Sequence, residues 1–119
     1  MTIKEVYTKF TIPPNLETHM LTVARVVCTI KAHWKGGPID WDFLITAALL
    51  HDVGNIVKFD LEAHPEFLGA EVANLDHWKQ VKQEVISKYG KDDHAASGNM
   101  LKEINVSREL LDLIQSKSF

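Results

Sequence analysis

The sequence predicts an all-α domain. Apolar residues recur with a period near 3.6 in successive segments, proline and glycine separate those segments, and no stretch shows the strict alternation of a half-buried strand. The 119 residues are enough for one compact core and too few for two. The expectation is a single domain over residues 1–119, built as a compact bundle of about five to six helices.

A first short helix is expected over residues 3–10, ended by Pro13-Pro14, whose rigid rings can open a helix but not continue one. The second carries Leu16, Met20, Val23, Val27, Ile30 and Trp34 in alternating steps of four and three, and stops at Gly36-Gly37-Pro38. Asp40 reads as the N-cap of a third helix. Its run Trp41, Phe43, Leu44, Ile45, Ala47, Ala48, Leu49 and Leu50 is apolar on nearly every face, which predicts burial in the middle of the domain. Gly54 reads as its C-terminal stop. Residues 55–69 are weakly patterned and read as a loop, of a length that often carries function. Leu75, Trp78, Val81, Val85 and Tyr89 mark a fourth helix closed by Gly90; Asp92-Asp93 opens a fifth that runs to Ile104; Ser107 caps a last one over residues 108–114. This pattern puts Val23, Val27, Leu44, Ala48, Leu49, Val81 and Val85 into one core, together with Cys28 and the three tryptophans, Trp34, Trp41 and Trp78.

Composition narrows the function classes. With 45% apolar residues and a formal charge of -3, the chain reads as a soluble globular protein, and no basic stripe marks it for polymeric nucleic acid. One cysteine excludes a disulfide framework and makes a reducing cytoplasm the default location. No continuous apolar segment suggests a signal peptide or a membrane span.

The stretch from Leu49-Leu50 through His51-Asp52-Val53-Gly54-Asn55 places an imidazole and a carboxylate side by side at the end of an apolar helix. Burying a carboxylate without a partner costs several kcal/mol, and a divalent cation satisfies both side chains at once. The negative carbonyl end of the helix adds to that preference. A His-Asp pair alone is a weak signal. His19, three residues after Leu16 and four before Val23, lies on or beside the buried stripe of its own helix. By itself it reads first as a satisfied core histidine. If the second and third helices pack antiparallel across the short Gly36-Gly37 connection, His19 and His51-Asp52 converge.

Through His19-Met20-Leu21-Thr22-Val23-Ala24, Ala47-Ala48-Leu49-Leu50-His51-Asp52-Val53-Gly54-Asn55 and the spacing between them, the chain resembles the HD-domain metal-dependent phosphohydrolases. The resemblance implies an HD-like helical fold and a divalent cofactor held by His19, His51 and Asp52. That cation polarises a phosphoryl oxygen and activates water. Imidazole plus carboxylate ligation suits Mn, Fe, Co, Ni, Zn or Mg with added waters. The family pattern also implies a distal aspartate on a late helix. After His94 the chain offers only Asp112, whose register in Leu111-Asp112-Leu113-Ile114 is that of an ordinary helix surface. The expectation is therefore a domain lacking its last helices, with an incomplete metal site.

His94, in the first turn of the fifth helix, resembles a family position that binds a second metal, and reads equally as a solvated histidine near a cap. Asn55 and Lys58 follow the His-Asp pair closely enough to reach a phosphate, although a loop lysine needs no function. His64 reads as a loop residue; His33 and His77 read as surface residues. Two function classes follow. The first is a phosphohydrolase acting on a nucleotide or another small phosphate ester, with Asp52 and Lys58 as catalytic residues. The second is a non-catalytic HD-like module that binds a ligand or partner.

Overall fold

Local signals start or stop most of the helices. The computed structural model describes residues 1–116, which form six α-helices and two 3-10 segments without a strand among them. Helix α1 (Ile3–Lys9) opens in a capping box: Thr2 Oγ1 accepts the Glu5 N–H at 3.1 Å while the Glu5 carboxylate reaches back to the Thr2 backbone. Helix α2 (Pro14–His33) begins on the proline ring that its first turn tolerates. Asp40 caps α3 (Trp41–Leu50) by accepting the Phe43 N–H at 3.1 Å. Helix α4 (Leu75–Tyr89) stops at Gly90, whose φ of 116° an L side chain resists. Asp92 caps α5 (Asp93–Glu103) through the Ala95 N–H, and Ser107 caps α6 (Arg108–Gln115) through the Leu110 N–H.

Residues 55–69 are only in part the expected loop: 59–64 are turn and irregular backbone between two short helical segments. Two 3-10 segments occupy this region, η1 (Asn55–Lys58) and η2 (Pro65–Asn74), the second broken where Gly69 adopts a φ of 57°. Single turns of 3-10 helix leave no long periodic pattern to read. Gly54 does not stop α3 either. The helix ends at Leu50, and Gly54, with a φ of -92°, precedes η1.

The core gathers around the first half of α2, the turn after α3, η2 and α5, where Met20, Val53, Leu68, Met100 and Leu101 are wholly inaccessible. Val81 and Val85 join it from α4 as expected, and Ala48 is buried; Val23, Val27, Leu44 and Leu49 are only partly buried. Cys28 is exposed, contrary to its core assignment, as are Ile30 and Trp34, the latter at 47%. Trp41 is half-buried and Trp78 buried. The first half of α3, expected in the middle of the domain, is half-buried to exposed. The molecule extends 48 Å along one axis against 28 and 27 Å across. Periodicity reports one apolar face of a helix without saying what covers it. Over the second half of α2, among the described residues, α3 covers only part of that face. The hairpin tip closes locally: Trp34 Nε1 donates to the Gly37 carbonyl at 2.9 Å and its ring meets Trp41 edge-on. No helix of the described residues is long and apolar enough to cross a membrane.

Candidate metal centre

Three side chains from two neighbouring elements meet beside the core. On α2, His19 precedes the fully buried Met20, which anchors the helix and leaves the imidazole at the rim with half its surface exposed. His51 is the C-cap of α3, and Asp52 lies in the turn that follows, between the buried Leu50 and Val53. The antiparallel packing of α2 on α3 brings the two stretches together. His19 Nε2 and His51 Nε2 each lie 3.0 Å from Asp52 Oδ2, with the imidazole centroids 5.5 Å apart. One ligand atom from each of the three residues falls within 4.8 Å of the other two.

The orientation of His51 is set from behind. Its Nδ1 lies 2.6 Å from the Ala48 carbonyl oxygen, which can only accept, so the Nδ1 proton donates there. This directs Nε2 toward Asp52 in the tautomer that a neutral metal-ligating imidazole uses. Two imidazole nitrogens and one carboxylate oxygen suit a divalent transition metal.

Two contacts hold the turn in place, and the sequence reading did not single out either. Gly54 N–H donates to Ser97 Oγ at 2.9 Å. A Cβ on Gly54 would sit 2.6 Å from the Ser97 backbone nitrogen, so α5 approaches the turn more closely than any other residue there permits. The small-residue run Ala95-Ala96-Ser97-Gly98 was the available signal. From the other side, the Tyr7 hydroxyl donates to the Leu49 carbonyl at 2.6 Å and ties α1 to the end of α3. Burial, and to a lesser degree the charge of Glu17, pushes the Tyr7 pKa up to about 12.

A cavity of about 460 Å³ opens on the cluster. His19, Asp52, Asn55 and Lys58 line it, and so do Asn15, Leu16, Phe59, Glu66 and Phe67, which sequence reasoning did not place there. Lys58 pairs with Asp93 at 3.7 Å across an exposed contact. Asn55 is buried beside it.

The other sequence candidates lie elsewhere. His94, expected as a further metal ligand, is exposed in the first turn of α5 and is not among the residues whose ligand atoms meet. Asp92 caps that turn, and the His94 carbonyl accepts from Gln115. His64 is exposed and pairs with Glu66 at 3.0 Å; His33 and His77 are exposed. Asp112 is exposed and pairs with Arg108 on its own helix.

Comparison with curated proteins and with solved structures gives no match for this chain. The family model of the HD domain matches residues 16–118, a span that contains His19, His51 and Asp52. By that match, which covers most of its length, the chain belongs to the HD domain family.

Proposed function

We propose that this HD domain is a metal-dependent phosphohydrolase acting on a nucleotide or another small phosphate ester. The observation that carries the reading is the convergence of His19, His51 and Asp52 at one edge of a cavity that also presents Lys58. A divalent cation bound by these three residues supplies Lewis acidity toward a phosphoryl oxygen and makes water a usable nucleophile near neutral pH.

The chain's own groups divide the remaining work. Lys58 gives the cavity a mobile positive charge for the phosphate. Its pairing with Asp93 is an exposed ion pair, a kind worth little, so exchanging that partner for a phosphate oxygen costs little. Asn55 offers amide hydrogen bonds from a buried position on the cavity wall. The Asp52 carboxylate accepts a proton from the attacking water as the new phosphorus–oxygen bond forms. The ester phosphorus–oxygen bond breaks, and the departing oxygen takes up the proton that Asp52 accepted, which returns the carboxylate to its starting state.

A module that binds phosphate esters without turnover is the second reading. It is favoured by a ligand set with a single carboxylate among the described residues. One experiment separates the two: release of inorganic phosphate from a panel of small phosphoesters with manganese or nickel present. Hydrolysis by wild type and its loss in Asp52→Asn, which removes charge while keeping size, supports the hydrolase. Equal rates in both proteins would remove the mechanism.

A further inference from the structure

The cavity beside the metal cluster is lined by two chemically different sets of side chains. One is polar, with His19, Asp52, Asn55 and Lys58; the other is aromatic, with Phe59 and Phe67. Phe67 stacks obliquely on Phe59 at 5.1 Å between centroids and on His64 at 5.5 Å, yet 40% of it is still exposed. A phenyl ring left open on a cavity wall offers a flat apolar surface that water solvates poorly and another ring covers well. Building on the phosphohydrolase reading, we propose that Phe67, backed by Phe59, determines specificity in this cavity. It selects phosphate monoesters that carry a flat ring, the chemistry of a nucleoside monophosphate, over open-chain phosphoesters.

The wall is held in fixed relation to the metal ligands. Gly69, at a φ of 57°, packs so closely on Asn15 that a Cβ there would lie 2.6 Å from Asn15 Oδ1. The Asn15 amide in turn donates to the Glu66 carbonyl at 3.5 Å. Asn15 and His19 are one turn apart on α2 and share a face, so the segment bearing Phe67 is tied to the helix that presents His19. The volume of about 460 Å³ falls within the range of small-molecule pockets. A ligand whose phosphate pairs with Lys58 shares the cavity with the rings of Phe59 and Phe67. Asn15 and Glu66 add to the same lining hydrogen-bonding groups suited to the polar edge of a base. An open-chain alcohol placed there would lose hydration of its hydroxyls against phenyl carbon and gain no stacking.

The test is calorimetric titration of the manganese-loaded protein with adenosine 5′-monophosphate and with glycerol 3-phosphate, in wild type, Phe67→Ala and Phe67→Tyr. Stacking on an aromatic side chain predicts that Phe67→Ala weakens the adenosine ligand about 5- to 150-fold. Binding of glycerol 3-phosphate should stay unchanged, and Phe67→Tyr should restore the preference. Melting curves establish that each variant folds. Unchanged adenosine monophosphate binding in Phe67→Ala, equal losses for both ligands, or absent binding of both to wild type would overturn the proposal. Phosphate release measured in parallel separates the two readings. Release from both esters without ring preference leaves the hydrolase and removes the role of Phe67. Ring-selective binding without release supports Phe67 and removes the hydrolase.

Discussion

At the scale of single residues, the cluster depends on how closely other groups approach the turn that carries it. Gly54 illustrates this, since its hydrogen atoms face the Ser97 backbone where a methyl group would overlap. Gly54→Ala therefore has to displace α5 or the turn, and overpacking of this kind costs about 1–3 kcal/mol. Denaturant unfolding should show that loss, together with weaker metal binding as Asp52 shifts. A neutral substitution would mean that α5 does not position the turn. The sequence exposed His19, His51 and Asp52 as candidates because imidazoles and a carboxylate are conspicuous within apolar helices. It did not expose the residues that position them. Ser97 and Tyr7 act through one hydrogen bond each, to partners 43 and 42 residues away, and no local pattern encodes such a distance. His94, which read equally as a ligand and as a solvated histidine, is exposed in the first turn of α5 and lies outside the group whose ligand atoms meet.

At the scale of elements, the caps and the Gly90 stop were legible because their chemistry is local: Asp40, Asp92, Ser107 and Gly90 act within a few residues of the ends they define. The segments η1 and η2 were not, since 3-10 turns impose no extended periodicity. The junction of α1 with α3 makes a prediction in pH. Tyr7 is neutral when it donates to Leu49, and its pKa is raised in the folded protein from about 10 in the unfolded chain. Its contribution to stability is thus fully present below pH 10 and is lost as pH rises toward about 12. The melting temperature of wild type should fall through that window more steeply than that of Tyr7→Phe. Parallel curves would show that the Tyr7 hydroxyl does not couple α1 to α3.

At the scale of the whole molecule, the all-α architecture followed from periodicity, while the location of the core did not. The stripe of α2 continues without a break from Leu16 to Trp34, yet its first half is buried in the body and its second half lies along the hairpin. Stability should divide the same way. Leu101→Ala, in the fully buried face of α5, should cost about 2–5 kcal/mol. Ile30→Ala, half-exposed on α2, should cost less than about 1 kcal/mol. Equal losses in chemical denaturation would place the hairpin in the core after all. The same division explains where the metal cluster lies: α2 and α3 deliver their ligands where the hairpin joins the body, and α1 and α5 brace that junction. The central claim is that His19, His51 and Asp52 form one cation site, and equilibrium dialysis against manganese or nickel tests it most directly. Wild type should retain about one ion per chain, and His51→Ala should retain none while still folding. Equal retention by the two proteins, or none by wild type, would contradict the account.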